Sequence, residues 1–279
     1  RSDSNQVRAC CVWADQSDIS FPSLRGPSPS LAKPASLGQV RPMVPVSFGA
    51  TELLLRSDRA VYWPRERTLF VADLHLEKAS FFASHGQPLP PYDSRATLER
   101  VARAVEETRA ERVVTLGDNF HDAEGASRLE DTACEMLCAL TRAVDWVWIT
   151  GNHDGPSDAD EAANRCGGTL HAELEIGGIV CRHEAMPGES RPELSGHWHP
   201  KLDVTVRGRR VRRPCAVMAQ SDAGPRMVLP AFGTLTGGMD AADPAIRRAL
   251  SPADTVEAMC AVRDKLVRIP LWRSERRAA

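Results

Sequence analysis

The sequence predicts an α/β fold in which a mixed sheet packs on a second sheet, and three observations carry that prediction. Apolar runs of strand length, TLFVA at 68–72, VVTL at 113–116 and WVWIT at 146–150, alternate with two amphipathic helical segments. After residue 200 the helical periodicity gives way to β-rich sequence. No segment repeats another. Strands that first alternate with helices and then follow one another are the pattern of a layered α/β domain.

Strand-like sequence begins at Met43. Leu53 to Leu55 and Ala60 to Trp63 read as short strands around a turn at Ser57 and Asp58. TLFVA is apolar throughout, as a buried strand should be. Residues 94–109 form a helix whose stripe is Leu98, Val101, Ala102 and Val105, with Asp93 or Ser94 as its cap. Residues 126–142 form a second helix that turns Leu129, Ala133, Met136, Leu137 and Leu140 inward. Ile179 to Arg182 is a further strand, and Val204 to Arg207 with Val211 flank a turn at Gly208.

The chain has 279 residues, near the size at which single cores stop growing. Hydrophobic residues make up 42% and charged residues 26%, which excludes wholesale disorder. Net charge is −2, so any grip on nucleic acid must be local and not a matter of bulk charge. No apolar run approaches the ~20 residues that cross a bilayer. None of the eight cysteines forms a C-x-x-C pair. A chain this long needs no disulfides, so a cytoplasmic location is expected and Cys134 and Cys138 read as buried thiols.

Residues 1–42 carry five prolines among many serines and lack periodicity; they are expected to be a disordered or non-native extension. The domain itself is expected over 43–265, with a polar tail over 266–279.

The chemistry lies where His, Asp and Asn fall. TLFVA is followed by Asp73-Leu74-His75, VVTL by Gly117-Asp118-Asn119, and WVWIT by Gly151-Asn152-His153-Asp154. The strand ending at Arg182 is followed by His183, and Gly196-His197-Trp198-His199 comes next. Sites in open α/β sheets form at the carboxyl ends of strands, so five scattered segments can converge. Carboxylate, imidazole and amide oxygen together suit Mn, Fe, Zn or Mg. In D-x-H and H-x-H the two side chains are two apart, which in extended chain turns both to one side. Gly117, Gly151 and Gly196 allow sharp turns beside these residues. Each fragment alone is weak, since a lone buried histidine is more often a satisfied core residue. Five of the eight histidines, however, fall in these segments.

The ordered set D-x-H, G-D-x-x-H, G-N-H-D, H and G-H-x-H resembles the calcineurin-like metallophosphoesterase superfamily. That resemblance implies a four-layer αββα sandwich, two mixed sheets flanked by helices. It implies one divalent metal on Asp73, His75, Asp118 and His199, and a second on Asp118, Asn152, His183 and His197. Asp118 then bridges the pair, and His153 is the catalytic residue beside them. The stretches DLHLEKASFFASHGQPLPPYDSRATL at 73–98, GDNFHD at 117–122, GHWHP at 196–200 and LPAFGTLTGG at 229–238 are similar to the ligase-associated DNA damage response endonucleases of the PdeM family. That closer likeness implies a Mn-dependent phosphodiesterase that incises DNA in repair, associated with a DNA ligase, a helicase and an exonuclease. One position departs from the commoner pattern: His121 stands three residues after Asp118 where many members have Asp. This leaves open whether Asp122 or another group orients His153.

Other residues have two readings. Asn119 and His85 could reach a phosphate or be ordinary solvated loop side chains. Arg207, Arg209, Arg210, Arg212 and Arg213 form either a local basic patch for a nucleic-acid backbone or a solvated hairpin face. At the level of function, a small-molecule phosphatase or cyclic-nucleotide phosphodiesterase is the alternative, and a scaffold without catalysis the third reading.

Overall fold

The computed structural model describes residues 42–154 and 158–274; the expected extension lies outside the described residues apart from Pro42. The first strands are β1 (Met43–Phe48), β2 (Thr51–Arg56), β3 (Val61–Trp63) and β4 (Thr68–Val71). Helices α1 (Lys78–Ser84) and α2 (Asp93–Thr108) lead to β5 (Arg112–Leu116). Next come α3 (Gly125–Arg128), α4 (Asp131–Ala143), β6 (Asp145–Ile149), α5 (Asp158–Cys166) and β7 (Thr169–His171). Strands β1 to β7 make one sheet in sequence order, antiparallel up to β4 and parallel from β4 onward.

The second half supplies β8 (Glu173–Ile176), β9 (Ile179–Arg182), β10 (Glu193–Ser195), β11 (Lys201–Val206) and β12 (Arg209–Pro214). It continues with β13 (Ala216–Gln220), β14 (Arg226–Val228), α6 (Pro244–Ala249), β15 (Thr255–Val262) and β16 (Lys265–Arg273). Seven of these form the second sheet, ordered β16-β15-β13-β14-β10-β9-β8, while β11 and β12 stand apart as a hairpin.

Four layers follow from which side chains are buried. Leu69 and Val71 of β4, Val113 of β5 and Trp146 and Trp148 of β6 pack with Leu98, Val101 and Leu137 of α2 and α4. The alternate residues Phe70, Val114, Val147 and Ile149 face the other way, against Cys181, Leu194, Met218 and Met227 of the second sheet. Both faces of β4 to β6 are therefore covered, which is why these strands read as unbroken apolar runs. The far side of the second sheet, Val217, Val228, Val256 and Ala258, is closed by Ile246 and Ala249 of α6. Among the described residues no helix is long and apolar enough to cross a membrane.

Three expectations change. The helix expected over 126–142 is two helices, because Leu129 leaves helical geometry (ψ 118°) and Glu130 is extended. Leu129 is thereby buried in the helix-side core, while Arg128 turns to Asp122. Asp93 and Ser94 do not cap α2: the Ala79 N–H donates to Asp93 Oδ2 and the Glu77 N–H to Ser94 Oγ, tying α2 to the segment after His75. Residues 266–273, expected in a polar tail, are strand β16, paired along β15. It reads as polar because it is an edge strand carrying Lys265, Arg268 and Arg273, and Pro270 is tolerated there.

A charged cluster sits under the second sheet beside the site. Arg182, one residue before His183, meets Glu173 at 2.7 Å, Glu189 at 2.8 Å and Glu193 at 3.3 Å. Buried Arg226 also faces Glu193, and its guanidinium donates to the Met186, Ala249 and Ser251 carbonyls.

Candidate metal centre

The ends of β4, β5, β6, β9 and β10 deliver the candidate ligands to one place. Asp73, His75, Asp118 and His183 are buried, His197 and His199 half-buried, and Asn152 and His153 exposed at the rim. Backbone bonds lock the floor: the Asp73 N–H donates to the Gly117 carbonyl and the His75 N–H to the Asp118 carbonyl.

Asp73 and His75 do not reach the site by strand alternation. Both have left-handed backbone, φ 53° and 43°, and so do Asp118 (47°), His197 (72°) and His199 (45°). Such conformations cost of order 1–3 kcal/mol each for residues with a Cβ and persist only where the surroundings impose them. For Asp73 and His75 they are imposed by packing: Leu74 and Leu76, on either side of His75, are buried in the helix-side core. Two glycines make room. A Cβ at Gly117 would lie 2.3 Å from His183 Nδ1, and one at Gly151 would lie 2.2 Å from the Asp118 nitrogen.

The donor atoms form two groups that share one residue. Ligand atoms of Asp73, His75, Asp118 and His199 lie within 4.8 Å of one another, and so do those of Asp118, His183 and His197. The Asp118 carboxylate is split between them: Oδ2 is 3.6 Å from His75 Nε2, and Oδ1 is 3.4 Å from His183 Nε2. His75 Nε2 and His199 Nε2 are 3.1 Å apart, and His183 Nε2 and His197 Nδ1 are 3.0 Å apart. Asn152 joins the second group, with Oδ1 2.9 Å from His183 Nε2.

This donor set fits a cation. His183 Nδ1–H donates to the Leu116 carbonyl at 2.9 Å, so Nε2 carries the lone pair. That lone pair faces a carboxylate oxygen and an amide oxygen, all acceptors with no hydrogen to share. His75 is held neutral: burial first, then the charges of His199, Lys78, His153 and His121, bring its pKa down to about 2. A neutral imidazole amid carboxylates is the form that ligates a metal.

His153 lies beside these groups, its ring 5.3 Å from that of His75 and stacked on His121. Its backbone N–H donates to Asp118 Oδ1 at 3.0 Å, and its ring Nδ1 is 3.0 Å from the His121 carbonyl oxygen. The group that orients the ring is thus a backbone carbonyl; Asp122 is taken up by Arg128. Asn119 is buried and its Nδ2 donates to Ile149 O and Asp154 Oδ2, so it does not face a substrate. His85 is exposed, with Nδ1 2.8 Å from the Phe81 carbonyl oxygen. The five arginines lie on the β11–β12 hairpin, all exposed.

Two supports were not legible in the sequence. Asp154 is a buttress: Oδ1 accepts the N–H groups of Asn119 and Phe120, and Oδ2 accepts those of Gly151 and Asn119 Nδ2. Burial pushes its carboxyl above the usual range, against the pull of these donors. The loop after β14 lies along Asp73, with the Phe232 N–H donating to Ala72 O and the Gly233 N–H to Asp73 O. Arg59 and Arg100 hold that loop through its Ala231, Phe232 and Gly233 carbonyls.

Residues 66–202 match the family model of the calcineurin-like phosphoesterases. With the two-sheet sandwich and the paired donor groups, the chain belongs to that family and is a phosphoester hydrolase. It is 29% identical to the Pseudomonas putida nuclease MPE, a likeness that covers 81% of this chain and 100% of that one with a TM-score of 0.60. Yfce, a phosphoesterase from E. coli, is 15% identical over 73% of this chain and 98% of its own, with a TM-score of 0.39. No curated protein matches the chain.

Proposed function

We propose that the protein is a two-metal phosphodiesterase that cuts DNA, most active with Mn, and that it serves in DNA repair. The observation that carries the reading is the Asp118 carboxylate, whose two oxygens face two separate donor groups. Asp73, His75, Asp118 and His199 would hold one cation, and Asp118, Asn152, His183 and His197 the other. When bound, a pair of divalent ions supplies Lewis acidity at the phosphoryl oxygens and draws the pKa of water toward neutrality.

The chain's own groups do the rest. Tethering of Nδ1 to the His121 carbonyl leaves His153 Nε2 free, and in the protonated ring this atom can give its hydrogen to the departing oxygen. The exposed position of His153 lets a bulky ester reach it from solvent. The 29% identity to a nuclease favours DNA over small esters as the substrate. A cytoplasmic place of action, and work alongside a ligase, a helicase and an exonuclease, go with the same reading.

The test is a substrate panel of supercoiled plasmid, single-stranded DNA, hairpin DNA and simple phosphate esters, each with Mn, Mg, Zn and Ni. Nicking of plasmid with Mn is expected. Turnover of small esters with intact plasmid would move the assignment to a phosphatase or cyclic-nucleotide phosphodiesterase.

A further inference from the structure

The β11–β12 hairpin begins two residues after His199, no more than about 7 Å of chain. Its register sorts the cations by face. Leu202 pairs with Arg213 and Val204 with Val211, and Arg209 lies two residues before Val211, so these share one face. Lys201, Asp203 and Thr205, paired with Pro214, Arg212 and Arg210, share the other.

The two faces have different surroundings. On the first, Arg213 joins Arg59 and Arg263 around a groove of about 550 Å³ floored by Leu202, Val204, Val211 and Val267. On the second, Lys201 and Arg212 converge on the end of the loop that lines the site. Lys201 Nζ–H donates to the Thr236 carbonyl at 3.2 Å and Arg212 Nη2–H to the Gly238 carbonyl at 2.7 Å. Gly238 touches the site, since a Cβ there would lie 2.5 Å from the His199 carbonyl oxygen. Lys201 and Arg212 are diagonal neighbours on an antiparallel pair, which sets them roughly 7–8 Å apart at the backbone. Among the described residues neither bonds a carboxylate: Asp203 grips Arg210, and Asp240 Oδ1 accepts the Ala242 N–H.

We infer that Lys201 and Arg212 form a phosphate track leading away from the metal centre, which holds the backbone of one DNA strand beside the phosphate being cut. This rests on the nuclease reading and adds to it which face of the hairpin the strand follows. Arg210 is already neutralised by Asp203. Arg213 lines the groove on the other face, Arg209 shares that face, and neither takes part. A phosphate contact of this kind carries no sequence information and shows itself as salt dependence.

The experiment compares K201Q/R212Q with R209Q/R213Q in the full chain, using a fluorescein-labelled duplex and its single strand at several salt concentrations. Binding is read by anisotropy and cleavage by gel. For K201Q/R212Q, the slope of log K against log [salt] should flatten by about 1.4 on single strands to 1.8 on duplex, for two lost contacts. R209Q/R213Q should keep the wild-type slope. Because Lys201 and Arg212 also brace the loop, the charge-keeping K201R/R212K is included and should retain most of the slope. Equal flattening in both double variants, or flattening in R209Q/R213Q alone, overturns the track while leaving the nuclease reading standing. The track also falls if K201R/R212K loses as much slope as K201Q/R212Q, since the loop and not the charge is then responsible. A wild-type protein that neither binds nor cuts DNA overturns both.

Discussion

Replacing Asp154 with alanine removes a carboxylate that gathers the β5 and β6 loops through four hydrogen bonds. Oδ1 accepts the Asn119 N–H at 2.9 Å and the Phe120 N–H at 3.1 Å; Oδ2 accepts the Gly151 N–H at 2.8 Å and Asn119 Nδ2–H at 2.9 Å. Asn119 and Phe120 are about 1% and 0% exposed, so their backbone donors cannot turn to water once the acceptor is gone. A stranded buried donor costs ~1–3 kcal/mol, so the two together cost roughly 2–6 kcal/mol. The Gly151 donor is half-exposed and can be hydrated, and losing a buried charge returns part of the cost. The expected net loss is about 3 kcal/mol, or roughly 6–12 °C in Tm for a chain of this size. Thermal unfolding followed by circular dichroism reads it directly. Turnover at a temperature where the variant is fully folded should also fall, because the same loops carry Asp118 and Asn152. A shift of under ~2 °C with wild-type turnover would show that these bonds do not hold the site.

Four further outcomes follow from the same geometry. His153→Ala should keep its metal, measured by elemental analysis, and lose roughly 10²–10⁴-fold in turnover; wild-type turnover would remove the proton-donating role. Asp118→Ala should lose both metal content and activity, since it takes one ligand from each donor group; retention of two ions per chain would refute the bridge. Glu193→Ala leaves buried Arg182 and Arg226 without their shared carboxylate and should cost ~3–5 kcal/mol in guanidinium unfolding; no change in midpoint would mean the cluster is not coupled to stability. Chelation should abolish turnover and lower stability by about 2.7 kcal/mol for each ion lost, relative to metal at 100 times its Kd, with far-UV dichroism unchanged; loss of secondary structure would mean the ions build the fold.

What could be read from the sequence was set by how local the cause is. TLFVA, VVTL and WVWIT announce themselves because both faces of β4 to β6 are covered. The residues after them stood out because His, Asp and Asn at successive strand ends are an uncommon coincidence. Their backbone was misread, since extended spacing and left-handed turns both put residues 73 and 75 on one side. The break at Leu129 carries no proline or glycine and arises from burial in a core that a local window does not see. Strand β16 hid behind its edge charges. Nothing in the sequence marks the His121 carbonyl as the partner of His153, because a main-chain acceptor has no residue type.

Five of the inward-pointing residues owe their aim to main-chain torsion, which for Asp73 and His75 is backed by buried Leu74 and Leu76. The socket is therefore cast before it is filled. One ion can be exchanged for another without remoulding the loops, and shortening a single side chain should leave the remaining donors on station. Such a variant becomes a vacancy that an added small ligand, imidazole for a missing histidine or formate for a missing aspartate, is shaped to fill.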